Sequence, residues 1–176
     1  MKALLSLMLT GSVLIARAAD PAPHSEIRVK ETAPRNYLCT KKELKIAEMH
    51  AFAPDAITKL FETATEARLG QGGPVMFTYF NFQGDPNQTF TAEIGLPIAK
   101  ADAPKTEGIY VRKAPKSKCA SAIFQGPLPK LSEAWQSFAA GAAAKGELTG
   151  ESRELYLYFE AFDSPNNIVE LQMGLK

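Results

Sequence analysis

The residues best suited to chemistry are one acid and two tyrosines near the C-terminus. Glu154, Tyr156 and Tyr158 alternate with leucines, and in a β-strand such residues share one face. A carboxylate on an aromatic wall is partly desolvated, so a cation or a proton would stabilise it. Each tyrosine ring beside it would add a cation–π attraction of roughly 0.5–2 kcal/mol. The pattern therefore predicts a site that binds a positive charge.

A strand of similar composition occurs earlier in the chain. The two segments are VMFTYFNF at Val75–Phe82 and ELYLYFEAF at Glu154–Phe162. When their aromatic residues are aligned, Val75 stands where the second segment has Glu154. A repeated strand indicates a repeated unit, and two such units can pack around a pseudo-twofold axis with a groove between them. Only the second unit would bring an acid to that groove.

Two passes of strand, helix and hairpin would position these residues. Pro54 opens a helix that ends at Gly70, and a second helix runs from Leu131 to about Gly146. Each helix is followed by two strands joined by a turn, Asp-Pro-Asn in one case and Ser-Pro-Asn in the other. The predicted fold class is α+β, with an antiparallel sheet, both helices on one side and a central groove. The predicted tandem units, each a β-α-β-β repeat, are residues 26–99 and 108–176.

Alternation along the hairpins assigns one strand face to the helices and the other to the groove. The face predicted to pack under the helices carries Met76, Thr78, Phe80, Phe82, Leu155, Leu157, Phe159 and Ala161. The groove face carries Phe77, Tyr79, Glu154, Tyr156 and Tyr158 and is aromatic enough for a small-molecule pocket. The alternative is that both faces are core and that Glu154 lies at the solvated end of its strand.

Three further side chains are candidates near the groove. Trp135 belongs to the apolar stripe of the second helix, which suits a core residue as well as a ligand contact. Glu93 and Glu170 alternate away from the apolar residues of the two closing strands. They therefore point off the helix face, and we expect them at an exposed rim rather than in the cleft.

The N-terminus has the pattern of a secretory signal peptide. Lys2 precedes an apolar run, Ala3–Ile15, that is too short to span a bilayer, and small residues flank a cleavage site after Ala18. We expect a signal peptide at residues 1–18, a disordered lead-in at 19–25, and a periplasmic or secreted product. A buried N-terminal helix or a membrane anchor is the alternative.

The charge balance argues against a nucleic-acid partner. The 20 basic and 19 acidic residues give a net charge of +1, and loss of Lys2 and Arg17 would leave 18 basic residues against 19 acidic ones, or −1. There is no basic run to neutralise phosphates. No other apolar stretch approaches membrane-spanning length, so stable membrane insertion after cleavage is not expected.

The two cysteines allow two interpretations. Cys39 and Cys119 each follow an Ala-Pro-basic triplet, and an exported protein meets an oxidising compartment. Equivalent positions in two units could lie close together and form a disulfide, whereas two buried free thiols are equally consistent with the pattern. Together with two histidines the cysteines show no recognised ligand spacing, so we predict no metal and no cofactor.

Several segments together resemble the GyrI-like effector-binding family. They are Phe124–Pro127, Ala134–Trp135, Arg153–Tyr156, Thr91–Ile98 and Val169–Leu171. The resemblance implies a tandem pair of units around a groove that binds hydrophobic, often cationic, compounds, with the acid in a Glu-x-Tyr segment that matches Glu154-Leu155-Tyr156. Family members serve as ligand-sensing parts of multidrug-responsive regulators, but no helix-turn-helix precedes this domain. We expect an exported, stand-alone member.

Three functions follow from these observations. The first is an exported binding protein for small hydrophobic, cationic molecules, with its site formed by Glu154, Tyr156, Tyr158, Phe77, Tyr79 and Trp135. The second is a hydrolase of reactive compounds with Glu154 as general base, the activity that some stand-alone family members resemble. The third is an envelope adaptor whose groove is filled by its own side chains. With no other catalytic constellation, binding is favoured over catalysis, and the oligomeric state is not indicated.

Overall fold

The computed structural model describes residues 23–102, 104 and 106–176. The predicted signal peptide lies outside the described residues, as does most of the lead-in. The lead-in ends earlier than predicted, because the Ser25 N–H donates to the Ile123 carbonyl at 2.8 Å and the His24 ring packs edge-on against Phe138. Within the described residues, no helix is long and apolar enough to cross a membrane.

The predicted α+β class is confirmed, with eight antiparallel strands and two helices. In chain order they are β1 (Arg28–Thr32), β2 (Arg35–Leu44), α1 (Met49–Glu66), β3 (Met76–Phe80), β4 (Phe90–Ile98), β5 (Tyr110–Ala114), β6 (Ser117–Gln125), α2 (Leu131–Ala143), β7 (Leu148–Tyr158) and β8 (Ile168–Leu175). One sheet holds all eight strands in the order β1-β6-β8-β7-β3-β4-β2-β5. A short 3₁₀ turn precedes each helix.

Both helices lie on the same face of the sheet, one over each half. Helix α1 buries Leu60 against Ile94 and Leu96 of β4, and α2 buries Phe138 against Leu171 of β8. Outward from the centre, the order β3-β4-β2 on one side matches β7-β8-β6 on the other. A duplicated unit would give this arrangement, but the duplication itself stays a prediction.

The edge strands cross from one half to the other and curl the sheet into a half-barrel. β1 pairs with β6, and β5 pairs with β2. The two ladders continue each other in register, because Thr32 pairs with Ser117 and, beyond a break, Arg35 pairs with Ala114. Prolines fall in both strands at that break, where a ring nitrogen has no hydrogen to donate to a ladder. The strands bend there, so the sheet has an outer face under the helices and an inner, concave face.

The predicted assignment of strand faces was wrong. Phe77 lies opposite Glu154 in the β3–β7 ladder, and Glu154 lies opposite Leu171 in the β7–β8 ladder, all on the helix side. Met76 and Leu155 instead pack with Tyr37 on the inner face. The apolar residues of that face correctly indicated that it is buried. The curvature of the sheet buries it, however, and no helix of the described residues covers it.

Several element boundaries differ from prediction, and two of the differences have clear local reasons. Helix α1 begins at Met49 rather than Pro54, because the 3₁₀ turn Ile46–Glu48 already sets the helical direction. Pro54 then removes only one intrahelical hydrogen bond. Strand β7 ends at Tyr158, four residues before the predicted end, because the following loop is fixed by side-chain hydrogen bonds to its own backbone.

Candidate functional site

The candidate site lies at the centre of the outer face, where β3 and β7 pair. The β3–β7 ladder places Phe77 opposite Glu154, and the rings of Phe77 and Tyr156 pack with centroids 4.9 Å apart. Helix α2 brings Trp135 over the same point. The structure thus brings together five of the six predicted ligand-binding residues: Glu154, Tyr156, Phe77, Tyr79 and Trp135.

Three neutral donors hold the Glu154 carboxylate. The hydroxyls of Tyr79 and Tyr156 both donate to Oε2 at 2.9 Å. The Trp135 indole Nε1–H donates to Oε1 at 2.6 Å. Because an indole nitrogen can only donate a hydrogen bond, Oε1 must be the acceptor in this contact. Glu154 is 5% exposed, and its contacts therefore form a closed cluster.

The electrostatics of this cluster are unusual because it contains no internal cation. Burial raises the pKa of Glu154, and the hydrogen bonds from Trp135, Tyr79 and Tyr156 oppose that rise. Burial and the nearby carboxylate raise the pKa values of Tyr79 and Tyr156, which keeps both hydroxyls protonated as donors. Among the described residues, no lysine, arginine or histidine forms an ion pair with Glu154. A buried carboxylate usually has such a partner.

Tyr158 does not join the site. The β7–β8 ladder is irregular after Tyr156, which pairs with Val169, whereas Tyr158 pairs with Ile168. Leu157 is the extra residue, so the alternation of faces shifts by one and Tyr158 falls on the side opposite Tyr156. Its side chain is half exposed. A regular strand was assumed from the sequence, and nothing in the alternation marks the bulge.

The inner face holds two acids that were predicted at an exposed rim. Glu93 and Glu170 do point off the helix face, but they are 2% and 7% exposed, because the sheet curls around them. Glu93 lies 2.7 Å from the Arg112 Nε and accepts a hydrogen bond from the Tyr110 hydroxyl at 2.6 Å. Glu170 forms an ion pair with Lys30 and accepts a hydrogen bond from Ser121.

Arg112 is central to this inner cluster. Its guanidinium lies over the Tyr37 ring, 5.3 Å from the centroid. The same guanidinium lies 3.9 Å from the Glu151 carboxylate. Glu151 belongs to β7, which is three strands away from β2, the strand that pairs with β5. The Nε–Oε1 contact with Glu93 is close but not aligned as a hydrogen bond, so Coulomb attraction dominates it. These pairs could have been inferred from one sequence feature. Each edge strand, β1 and β5, carries a basic residue, and each closing strand, β8 and β4, carries a glutamate.

The cysteines are free thiols, so the disulfide alternative was wrong. Cys39 pairs with Tyr110, whereas Cys119 pairs with Lys30, nine positions further along the same bent ladder. That separation exceeds the reach of a disulfide. Burial raises the pKa of Cys39 to about 12, and both thiols are buried. Within the described residues, no cluster of three or more metal-ligating side chains occurs.

Surface depressions lie away from Glu154. One of about 340 Å³ lies beside α1 and is lined by residues that include Phe61, Arg68 and Leu96. Another of about 400 Å³ lies at the break between β1 and β2, beside Arg35 and Lys113. Around Glu154, the side chains of Tyr79, Tyr156 and Trp135 instead contact the carboxylate directly. A ligand would have to displace one of those rings to reach the carboxylate.

The fold and the site together define a small-molecule-binding α+β domain. Residues 25–176 match the model of the GyrI-like small molecule binding domain. The chain therefore belongs to the GyrI-like family. No curated protein matches this chain.

Solved structures of similar fold come from regulators and from an enzyme. EcmrR bound to DNA is 19% identical, with a TM-score of 0.68 over 84% of this chain, which spans only 56% of that EcmrR chain. The C-terminal domain of EcmrR is 18% identical, with a TM-score of 0.63. That match covers 86% of this chain and 97% of the EcmrR domain.

Two further structures extend the comparison. SAV2435 bound to tetraphenylphosphonium is 14% identical, with a TM-score of 0.55 over 86% of this chain and 94% of that one. A hydrolase from Listeria innocua is 11% identical, with a TM-score of 0.59 over 87% and 93% of the two chains. At these identities the likeness shows the fold alone.

Proposed function

We propose that this protein binds a hydrophobic cation in the groove between α1 and α2, with Glu154 as the group that recognises its charge. One observation carries the proposal: Glu154 is buried, and none of the described residues pairs it with a cation. The buried acids of the inner face each have one, Arg112 for Glu93 and Lys30 for Glu170. A ligand cation would supply at Glu154 what those side chains supply at the inner face.

The arrangement of donors suggests where the cation enters. Oε2 accepts two hydrogen bonds, from the buried Tyr79 and the half-buried Tyr156, whereas Oε1 accepts only one, from the half-buried Trp135. Displacement of the Trp135 ring would expose Oε1 and leave the two tyrosines holding the other oxygen. The ligand would then lie between the indole and the packed, mutually tilted rings of Phe77 and Tyr156, where aromatic faces attract positive charge.

The comparisons support the choice of ligand class without defining it. Small-molecule binding is the property of the family. The structure of SAV2435 contains tetraphenylphosphonium, a hydrophobic cation. That compound is therefore a suitable probe for this chain.

Calorimetric titration with a charged and a neutral ligand tests the proposal. Tetraphenylphosphonium should bind at least about tenfold more tightly than triphenylphosphine oxide, which is similarly aromatic but uncharged, since each 1.4 kcal/mol of charge recognition is a factor of about ten. The preference should increase as the pH rises through the raised pKa of Glu154. Equal affinity for the two compounds would rule out recognition of charge by a buried carboxylate.

Hydrolysis is a second candidate, because burial raises the pKa of Glu154 toward the range useful to a general base. Its carboxylate would activate a water molecule while Tyr156 oriented the substrate. A panel of esters, lactones and strained-ring electrophiles would reveal it as turnover that disappears in Glu154→Gln. Absence of turnover with tight cation binding would leave the protein as a binder.

An envelope adaptor is the third candidate, favoured by the aromatic side chains that cover Glu154 and by exposed apolar residues at 157–162. An adaptor would not need the charge of Glu154. Cation binding that depends on Glu154 would therefore separate the two functions.

We also propose that the protein acts outside the cytoplasm, on the pattern of residues 1–18. Expression of the full chain with a C-terminal tag tests this. The exported fraction should have a mass that corresponds to loss of residues 1–18. A full-length product confined to the cytoplasm would contradict export.

A further inference from the structure

Four exposed apolar side chains lie within six successive residues at the end of β7. They are Leu157 at 46%, Tyr158 at 49%, Phe159 at 55% and Phe162 at 51% exposure. Single exposed apolar residues are common on protein surfaces, but four so close together in the chain make this segment a candidate contact surface. We call the segment from Leu157 to Phe162 the aromatic loop.

The loop behind this surface is fixed rather than loose. Asn167 is fully buried, and its side chain accepts a hydrogen bond from the Glu160 N–H at 2.9 Å. The same side chain donates to the Ala161 carbonyl at 2.7 Å and to the Ser164 carbonyl at 3.1 Å. The exposed rings are therefore presented in a set conformation, which lowers the entropic cost of binding.

A carboxylate is fixed between two of these rings in the chain. Glu160 lies between Phe159 and Phe162 in sequence, and its Oε2 accepts hydrogen bonds from the Ser164 hydroxyl and, at 2.9 Å, from the Asn166 amide. Those hydrogen bonds lower the pKa of Glu160. Among the described residues, no basic side chain forms an ion pair with it.

The aromatic loop lies at one end of the groove. The Phe162 carbonyl accepts a hydrogen bond from the Leu128 N–H at 2.9 Å, directly before α2 begins. The Phe162 ring lies 6.0 Å from the His50 ring in the first turn of α1. The loop therefore contacts the starts of both helices that enclose Glu154, and a ligand that approaches the groove from this end would meet it first.

We propose that the aromatic loop is an outer subsite for the same hydrophobic cations that the groove binds. The identity of the ligand rests on the proposed function. The location of the subsite does not, because it rests on the exposed residues of the loop. Exposed aromatic side chains within two residues of an exposed carboxylate, which no basic side chain of the described residues pairs with, are complementary to an aromatic cation. Because Glu160 is exposed and Glu154 is buried, the outer subsite is weaker and more sensitive to salt.

Equilibrium dialysis of the purified protein with tetraphenylphosphonium, at low and at high salt, tests this subsite. The protein should bind two equivalents at low salt, and the weaker one should be lost at high salt. Glu160→Gln, and separately the double variant Phe159→Ala and Phe162→Ala, should weaken that equivalent at least about fivefold. Glu62→Gln, a change of an exposed acid on α1, is the matched control and should leave both equivalents unchanged.

The possible failures are distinguishable. A single equivalent in the unmodified protein, or a weaker equivalent that Glu160→Gln does not change, would overturn the outer subsite. So would sedimentation showing a dimer that Phe159→Ala and Phe162→Ala dissociates, because a second copy would then cover the loop. If Glu154→Gln leaves the tighter equivalent unchanged while Glu160→Gln removes the weaker one, the proposed function fails and the outer subsite stands.

Discussion

Three glutamates are buried in this sheet, and the two faces neutralise them differently. On the inner face, Glu93 and Glu170 each meet a basic side chain from an edge strand, Arg112 and Lys30 respectively. On the outer face, Glu154 meets two phenols and an indole, which donate hydrogen bonds but carry no charge. The inner pairs are complete within the chain, whereas the outer carboxylate has a charge that the described residues do not balance.

That difference separates structural acids from an acid available for binding. A buried ion pair becomes costly when one partner is removed, because the other is left as an unpaired buried charge. A carboxylate held by neutral donors has no such partner to leave behind. Substitutions on the inner face should therefore change stability, and substitutions on the outer face should mainly change binding.

The largest effect is expected from breaking the inner pair at Arg112. Arg112→Met should lower the free energy of unfolding by about 3 kcal/mol, because Glu93 stays buried and loses its cation. Urea denaturation measures the loss. The double variant Arg112→Met, Glu93→Gln should recover most of it, and a loss below about 1 kcal/mol in the single variant would show that the pair is not what balances Glu93.

The pH dependence of stability should have opposite signs for the two faces. The pKa of Glu154 is raised above its ordinary value of 4.5, so its contribution to stability falls as the pH rises above 4.5 through the raised pKa. Burial alone would raise the pKa of Glu170. Hydrogen bonds from Lys30, Ser121 and Gln172 lower it by a larger amount, so the pKa of Glu170 lies below 4.5. Its contribution is therefore lost as the pH falls through that lowered pKa.

Urea denaturation at several pH values, about 3 to 7, checks these signs. The stability of the unmodified protein minus that of Glu154→Gln should decrease with pH above 4.5, and the corresponding difference for Glu170→Gln should increase with pH below 4.5. A tenfold difference in proton affinity between the folded and unfolded chain corresponds to about 1.4 kcal/mol. Curves of the same sign would contradict the contrast between the faces.

A smaller effect on stability is expected from Glu154→Gln at neutral pH. The substitution removes a buried charge that no cation of the described residues balances, which stabilises, and weakens three hydrogen bonds, which destabilises. We expect the two effects to leave the free energy of unfolding within about 1 kcal/mol of the original. A loss near 3 kcal/mol, as at Arg112, would mean that Glu154 is structural after all.

The smallest effect concerns the thiols. Cys39 and Cys119 are free and buried, so neither should react with a thiol reagent until the protein unfolds, and a reductant should not change the melting temperature. Reagent titration before and after denaturation measures this. Retarded migration of the reduced form on a non-reducing gel would indicate a disulfide and contradict the fold at the break in β1 and β2.

The elements of this fold could be predicted from sequence because periodicity is local. Two strands joined by a turn follow each helix, as predicted, and Trp135 lies on the apolar face of α2 that packs on the sheet. The assignment of strand faces could not be predicted in this way. Alternation separates two faces of a strand, but only the curvature set by the crossed edge strands decides that Leu155 turns inward and Glu154 turns toward the helices.

The candidate site likewise has features that could be predicted from local sequence patterns and features that could not. The coincidence of Glu154 with Tyr156, Phe77 and Tyr79 follows from pairing two strands of known pattern. The loss of Tyr158 depends on a single extra residue at Leu157, and the burial of Glu93 depends on Arg112 reaching over it from β5. These are long-range features that a local pattern does not contain.

The central claim is that Glu154, and not a buried acid in general, recognises the ligand's charge. The most direct test is calorimetric titration of tetraphenylphosphonium into Glu154→Gln and Glu170→Gln at the same pH and salt. We predict an affinity about 100-fold weaker in Glu154→Gln, the loss expected when one partner of a buried charge pair is removed, and an unchanged tight-site affinity in Glu170→Gln. Equal affinities in the two variants would contradict it.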